Sequence, residues 1–209
     1  MRALILVDIQ NDFLPGGALA VPDGDAVIPV ANRLAARDDL FDLVIATQDF
    51  HPADHQSFAA QHPGRAPGEL IDLHGLPQIL WPVHCVQGTS GAAFADTLDT
   101  ARVDRVFPKG TDPEIDSYSG FFDNGHRKAT GLGDYLRERG VREVVVVGLA
   151  TDYCVKATAI DAASIEGVER VVLSLDGCRG VNLQPGDSDA AVEAMRAAGV
   201  EVVASFGEV

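Results

Sequence analysis

The chain has 209 residues, 46% of them hydrophobic and 22% charged, a composition that suits one soluble α/β domain over 1–209 with a sizeable core. Its 31 acidic and 16 basic residues leave a net charge of −15, which argues against nucleic acid and against an anionic membrane surface as partners. No apolar stretch reaches the ~18 residues that a membrane-spanning helix needs. The chain opens directly into a strand pattern without a basic leader. Its three cysteines, Cys85, Cys154 and Cys178, are odd in number and lack metal-finger spacing, so a reducing cytoplasm is the expected compartment.

In chain order, β-rich runs are predicted at Ala3–Val7, Leu43–Thr47, Arg105–Phe107, Val144–Val147, Val171–Leu175 and Glu201–Ala204. Helical patterns fall at Ala26–Arg37, Gly131–Arg139, Val155–Glu166 and Ser188–Ala198. This alternation predicts a three-layer α/β/α domain around a six-stranded, mostly parallel sheet. The exception is Phe50–Thr89, which lacks a clear period yet carries all but one of the six histidines. Such a long irregular segment is uncommon in a compact domain unless it serves function.

Polar residues gather where the strands end. Asp8 follows the first run, Asp49 and His51 the second, Lys109 the third, and Cys154 the fourth. Open α/β sheets bind ligands beyond the carboxyl ends of their strands. Cys154 lies at a strand-to-helix turn, where amide N–H groups and the helix dipole favour a thiolate, although a lone cysteine is equally a small buried core residue. Asp8 could shuttle the thiol proton, or could simply cap a turn before Gln10-Asn11-Asp12. Lys109 would favour both ionised forms, or would stand solvated before Gly110.

Asp49-Phe50-His51 and Trp81-Pro82-Val83-His84 supply one carboxylate and imidazoles, borderline ligands that suit zinc, iron or manganese. His55 is either a ligand or an orienting residue, and Ser57 could be a weak fourth ligand. His62, His74 and His126 read as polar surface, and Cys85 as a buried structural thiol.

Taken together, VDIQNDF (7–13), GGAL (16–19), TQDFHPADHQSF (47–58), WPVHCVQGT (81–89), FPKGTD (107–112), DSYSGF (116–121) and GLATDYCV (148–155) resemble the nicotinamidase/pyrazinamidase branch of the isochorismatase-like cysteine hydrolases. The resemblance runs over nearly the whole chain. It implies an amidohydrolase of NAD salvage that converts nicotinamide, and pyrazinamide, through a cysteine thioester. The implied triad is Asp8, Lys109 and Cys154. The implied ligands of one divalent metal ion, zinc first and iron or manganese next, are Asp49, His51 and His84. Phe13 and Trp81 would sandwich the pyridine ring, with Leu19, Tyr118 and Tyr153 nearby. The amides of Ala150 and Cys154 would form an oxyanion hole beside a cis Leu149–Ala150 peptide. Ser57 stands where some relatives place a histidine, which leaves the fourth ligand open. The alternative is a carbamoyl or ureido amidohydrolase on the same scaffold, which need not carry the Asp-x-His and Trp-Pro-x-His elements. Apolar surface on the flanking helices could support a homo-oligomer.

Overall fold

The computed structural model describes residues 1–207. Strands β1 (Arg2–Val7), β2 (Leu43–Asp49), β5 (Arg105–Lys109), β6 (Glu143–Leu149), β7 (Arg170–Arg179) and β8 (Glu201–Val203) form one sheet in the order β5-β2-β1-β6-β7-β8. Every pairing within it is parallel. Successive side chains of a strand point to opposite faces, so each run feeds two cores. Ala3, Ile5, Val144 and Val146 pack on one face with α2 (Leu132–Arg139), α3 (Lys156–Ala162) and α4 (Asp187–Ala197). Leu4, Leu6, Val145 and Val147 pack on the other with α1 (Val27–Ala35). This sandwiching explains why the strands read as unbroken β-branched runs. No helix among the described residues is long and apolar enough to cross a membrane.

Leaving β1, the chain builds outward through β2 to β5; leaving β6, it builds the opposite way through β7 to β8. The ends of β1 and β6 therefore flank the topological switch point, the crevice where open sheets place ligands. Gly148 makes that junction close. Its φ is +131°, and a Cβ there would lie 2.1 Å from the Val7 carbonyl oxygen, so no other residue fits.

Two local differences from the sequence expectation bear on the site. The Phe50–Thr89 segment contains an antiparallel hairpin, β3 (Leu70–Leu73) and β4 (Leu76–Ile79), turning at His74-Gly75. And α3 does not begin at Val155: Thr151–Val155 forms a π-helical turn that leads into it. Wide turns of this kind recur at functional sites.

Candidate active site

Thr47, Asp49, Phe107 and Lys109 follow the strand alternation of Ile45, so register alone sends these side chains toward the α2/α3/α4 face. Asp49 and Lys109 are direct register partners at the ends of β2 and β5. Asp8 would point the other way in an extended strand. Its left-handed backbone (φ 49°) breaks the alternation, and its Oδ1 accepts a 2.6 Å hydrogen bond from the Thr47 hydroxyl. Aspartate tolerates this conformation better than most residues.

Lys109 joins the parts. It is 2% exposed, and its Nζ lies 2.9 Å from Asp8 Oδ2 and 2.5 Å from Asp49 Oδ1. It also donates to the Ser117 carbonyl at 2.8 Å and lies 3.4 Å from Cys154 Sγ. Burial pushes the Lys109 pKa down, but Asp49 and Asp8 outweigh it and hold the group well above its ordinary value. The two carboxylates on this ammonium diverge. Burial raises Asp8, with Asp49 adding to the rise and Lys109 opposing it. Burial also acts on Asp49, but there the Lys109 ammonium prevails and holds it well below the usual carboxylate range. Carboxyl oxygens of Asp8 and Asp49 and the Cys154 sulfur lie within 4.8 Å of one another.

At Cys154, burial opposes the thiolate that the turn favours. Burial drives its pKa well above 9.0; Lys109 lowers it, while Asp8 and Asp49 raise it further. Burial thus favours the Cys154 thiol, which lies beside a carboxylate that can take a proton. The burial of Cys154, a residue only 6% exposed, outweighs the favourable end of the turn.

Asp49, His51 and His84 bring one ligand atom each into a second group, all within 4.8 Å. His51 Nδ1 lies 2.8 Å from the Gly110 carbonyl, and His84 Nδ1 lies 2.8 Å from the Pro82 carbonyl. A carbonyl only accepts, so each Nδ1 carries the hydrogen and each Nε2 presents a lone pair. These Nε2 atoms lie 3.5 and 3.7 Å from Asp49 Oδ2, and His51 Nε2 is buried without a hydrogen-bond partner among the described residues. Two lone pairs converging on a carboxylate call for a cation, so the residues fit a divalent metal. His55 differs. Its Nδ1 accepts the Ser57 N–H at 3.2 Å, and the Ser57 hydroxyl lies 2.7 Å from the same atom. That places the His55 hydrogen on Nε2 and engages its Nδ1 with Ser57, although a ring nitrogen of His55 also lies within 4.8 Å of ligand atoms of His51 and Asp116.

Above these groups a narrow cavity is lined by Phe13, Leu19, Trp81, Tyr118, Ala150 and Tyr153, with Asp49, His84, Asp116, Cys154 and Val181 completing it. The Leu149–Ala150 peptide is cis. Among the remaining histidines, His74 is exposed in the hairpin turn, His62 is half-buried, and His126 pairs with Asp161 on the surface. Cys85 is fully buried.

Sequence reasoning missed the supporting residues. Gln10 receives the Asp49 N–H and donates to the Asp49 carbonyl, both at 2.8 Å. Asp12 accepts the Cys85 N–H at 2.7 Å, fixing the residue next to His84. Asp116 lines the cavity although no role was read for it. All three lie inside recognisable motifs, but nothing in one sequence separates a buried supporting carboxylate from an exposed turn residue.

The family model for the Isochorismatase domain matches residues 2–205. The chain belongs to this family. Within it, the chain is 53% identical to the nicotinamidase of Escherichia coli K12 over 95% of its own length and 92% of that protein. A nicotinamidase/pyrazinamidase structure from Acinetobacter baumannii superposes with a TM-score of 0.91 at 45% identity, covering 97% of this chain and 95% of that one. The pyrazinamidase of Pyrococcus horikoshii, solved in complex with zinc, matches with a TM-score of 0.76 at 38% identity, covering 98% and 99%.

Proposed function

We propose that this isochorismatase-family chain works as one domain that hydrolyses nicotinamide to nicotinate and ammonia, a step of NAD salvage, with pyrazinamide as a second substrate. The observation that carries the reading is Lys109 Nζ, which touches Asp8, Asp49 and Cys154 at once and so joins a proton-transfer pair to a metal-binding triplet. The carbamoyl or ureido alternative needs no such triplet, and Asp49, His51 and His84 weigh against it.

Asp8 takes the Cys154 proton as the sulfur attacks the carboxamide carbon. The amides of Ala150 and Cys154 receive the developing oxyanion. Asp8 then passes the proton to the departing nitrogen, so that ammonia leaves and a thioester remains. Asp8 next removes a proton from water, which attacks the thioester carbon; the proton returns to sulfur and nicotinate is released. Lys109 stays protonated throughout and compensates the charge that moves between Asp8 and Cys154. Asp49, His51 and His84 would hold the divalent ion, with zinc as the first choice. Once bound, the ion supplies a Lewis-acid anchor for the ring nitrogen. Phe13 and Trp81 then flank the ring. Cys154, Cys85 and Cys178 all carry free thiols, which suits a reducing cytoplasm.

Ammonia release from nicotinamide by the zinc-loaded protein tests the reading directly. Turnover is expected in the wild type and absent in Cys154→Ala, with nicotinamide binding retained in the variant. Substantial hydrolysis by Cys154→Ala would remove the nucleophile assignment, and an inert wild type would remove the function.

A further inference from the structure

Of the eight strand residues in the β3–β4 hairpin, only Leu73 and Gln78 are buried. An apolar residue would fill such a position at no polar cost, whereas a buried amide destabilises the fold unless its hydrogen bonds are met. Gln78 is 2% exposed, and its Nε2 has three acceptors within reach. These are the Ile79 carbonyl at 2.7 Å, Asp116 Oδ2 at 3.1 Å and the Tyr118 hydroxyl at 3.2 Å. The Ile79 carbonyl can only accept, as can the Asp116 carboxylate when ionised, so the amide nitrogen, not its oxygen, must face this cluster. The Tyr118 hydroxyl receives a second hydrogen bond, from Trp81 Nε1 at 3.2 Å.

Gln78 thus lies behind three lining residues of the cavity, Trp81, Asp116 and Tyr118, without lining it. The Trp81 backbone is held separately: its N–H donates to the Ser57 carbonyl at 2.8 Å, and its carbonyl accepts from Ala59 at 2.8 Å. Its indole N–H depends on the Tyr118 hydroxyl, whose place depends in turn on Gln78. The hairpin is therefore more than a loop excursion.

We infer that Gln78 is a positioning residue for substrate binding, which fixes the Trp81–Tyr118 wall and the Asp116 carboxylate against the pyridine ring. This rests on the reading that the cavity holds that ring. Gln78 touches neither Cys154 nor Asp8, so it governs how the ring is seated and leaves the chemical step alone.

Gln78→Met keeps the length and bulk of the side chain and removes the amide. The zinc-loaded variant is expected to raise KM for nicotinamide about tenfold while kcat stays within about twofold, the pattern of lost binding with unchanged chemistry. Trp81 is the sole tryptophan of the chain, so its emission reports the wall directly, in the absence of substrate. That emission should shift to longer wavelength in Gln78→Met as water reaches the indole. Unchanged KM and emission would overturn the inference, as would a fall in kcat at constant KM. Should Gln78→Met fail to fold, Gln78→Asn, whose shorter amide cannot span the same acceptors, is expected to give the same KM rise and emission shift, and wild-type values there would overturn it. The ligand-free emission is independent of turnover: an inert wild type would refute the nicotinamide reading, while an unshifted Trp81 would refute the role of Gln78.

Discussion

The sheet edge and the 50–89 segment build their halves of the site by different physics. At the sheet edge, Asp8, Asp49, Lys109 and Cys154 arrive at or just beyond the ends of paired parallel strands, and backbone register sets their mutual distances. In the segment, His51, Trp81 and His84 are held one at a time by the hydrogen bonds they donate: to the Gly110 and Pro82 carbonyls, and to the Tyr118 hydroxyl behind which stands Gln78. The first half is collective, so that losing its shared cation disturbs every member at once. The second fails singly, residue by residue.

Lys109→Met should break the collective half most severely. It leaves Asp8 and Asp49 buried without their shared cation, and losing one partner of a buried ion pair costs about 3–5 kcal/mol. Denaturant unfolding should show that loss, and ammonia release should vanish. Gly110→Ala attacks the other half. A Cβ there would lie 2.4 Å from His51 Cε1, at a φ of +62° that already disfavours it. Zinc affinity should fall about 10- to 100-fold, read by metal content after dialysis, while the emission of Trp81 stays near wild type.

A smaller effect separates the two carboxylates. Asp8 has a pKa raised by burial above its ordinary 3.8, and in the proposed mechanism it must be ionised to accept the thiol proton. Activity should therefore fall as pH drops through that raised value. The Thr47 hydroxyl favours the ionised form, so Thr47→Val should move the acid limb of kcat/KM to higher pH, by about one unit or less. A limb moving to lower pH would contradict Asp8 as the base. The smallest change belongs to His126→Ala. It removes a half-exposed pair with Asp161 and should alter stability by less than about 1 kcal/mol, with zinc content and turnover unchanged.

What could be read from the sequence follows the same division. The strands and the residues at their ends were legible because parallel pairing turns β-branched runs into an ordered edge. The β3–β4 hairpin was not, because each strand is four residues long and Pro77 sits inside the second, as an edge position allows. Gln78 was invisible for a related reason: in sequence, a glutamine in an irregular segment looks like solvated surface. The burial that raises the Cys154 pKa was not legible, because a strand-to-helix turn advertises the dipole, whereas burial is a property of the assembled core. The π-helical turn at Thr151–Val155 leaves no periodic trace in five residues.

Gly148 carries a consequence for anyone redesigning this scaffold. By letting β6 lie directly against Val7, it makes the approach of the Asp8 and Cys154 segments a property of the main chain. On the proposed amidase reading, the segment between Phe50 and Thr89 could therefore be varied to seek new substrates while the sheet-edge residues Asp8, Lys109 and Cys154 keep their places. The converse graft would fail: transplanted onto another sheet, the same segment would carry His51, His84 and Trp81 away from Asp49 and Tyr118, the partners that complete the metal-ligand triplet and the aromatic wall.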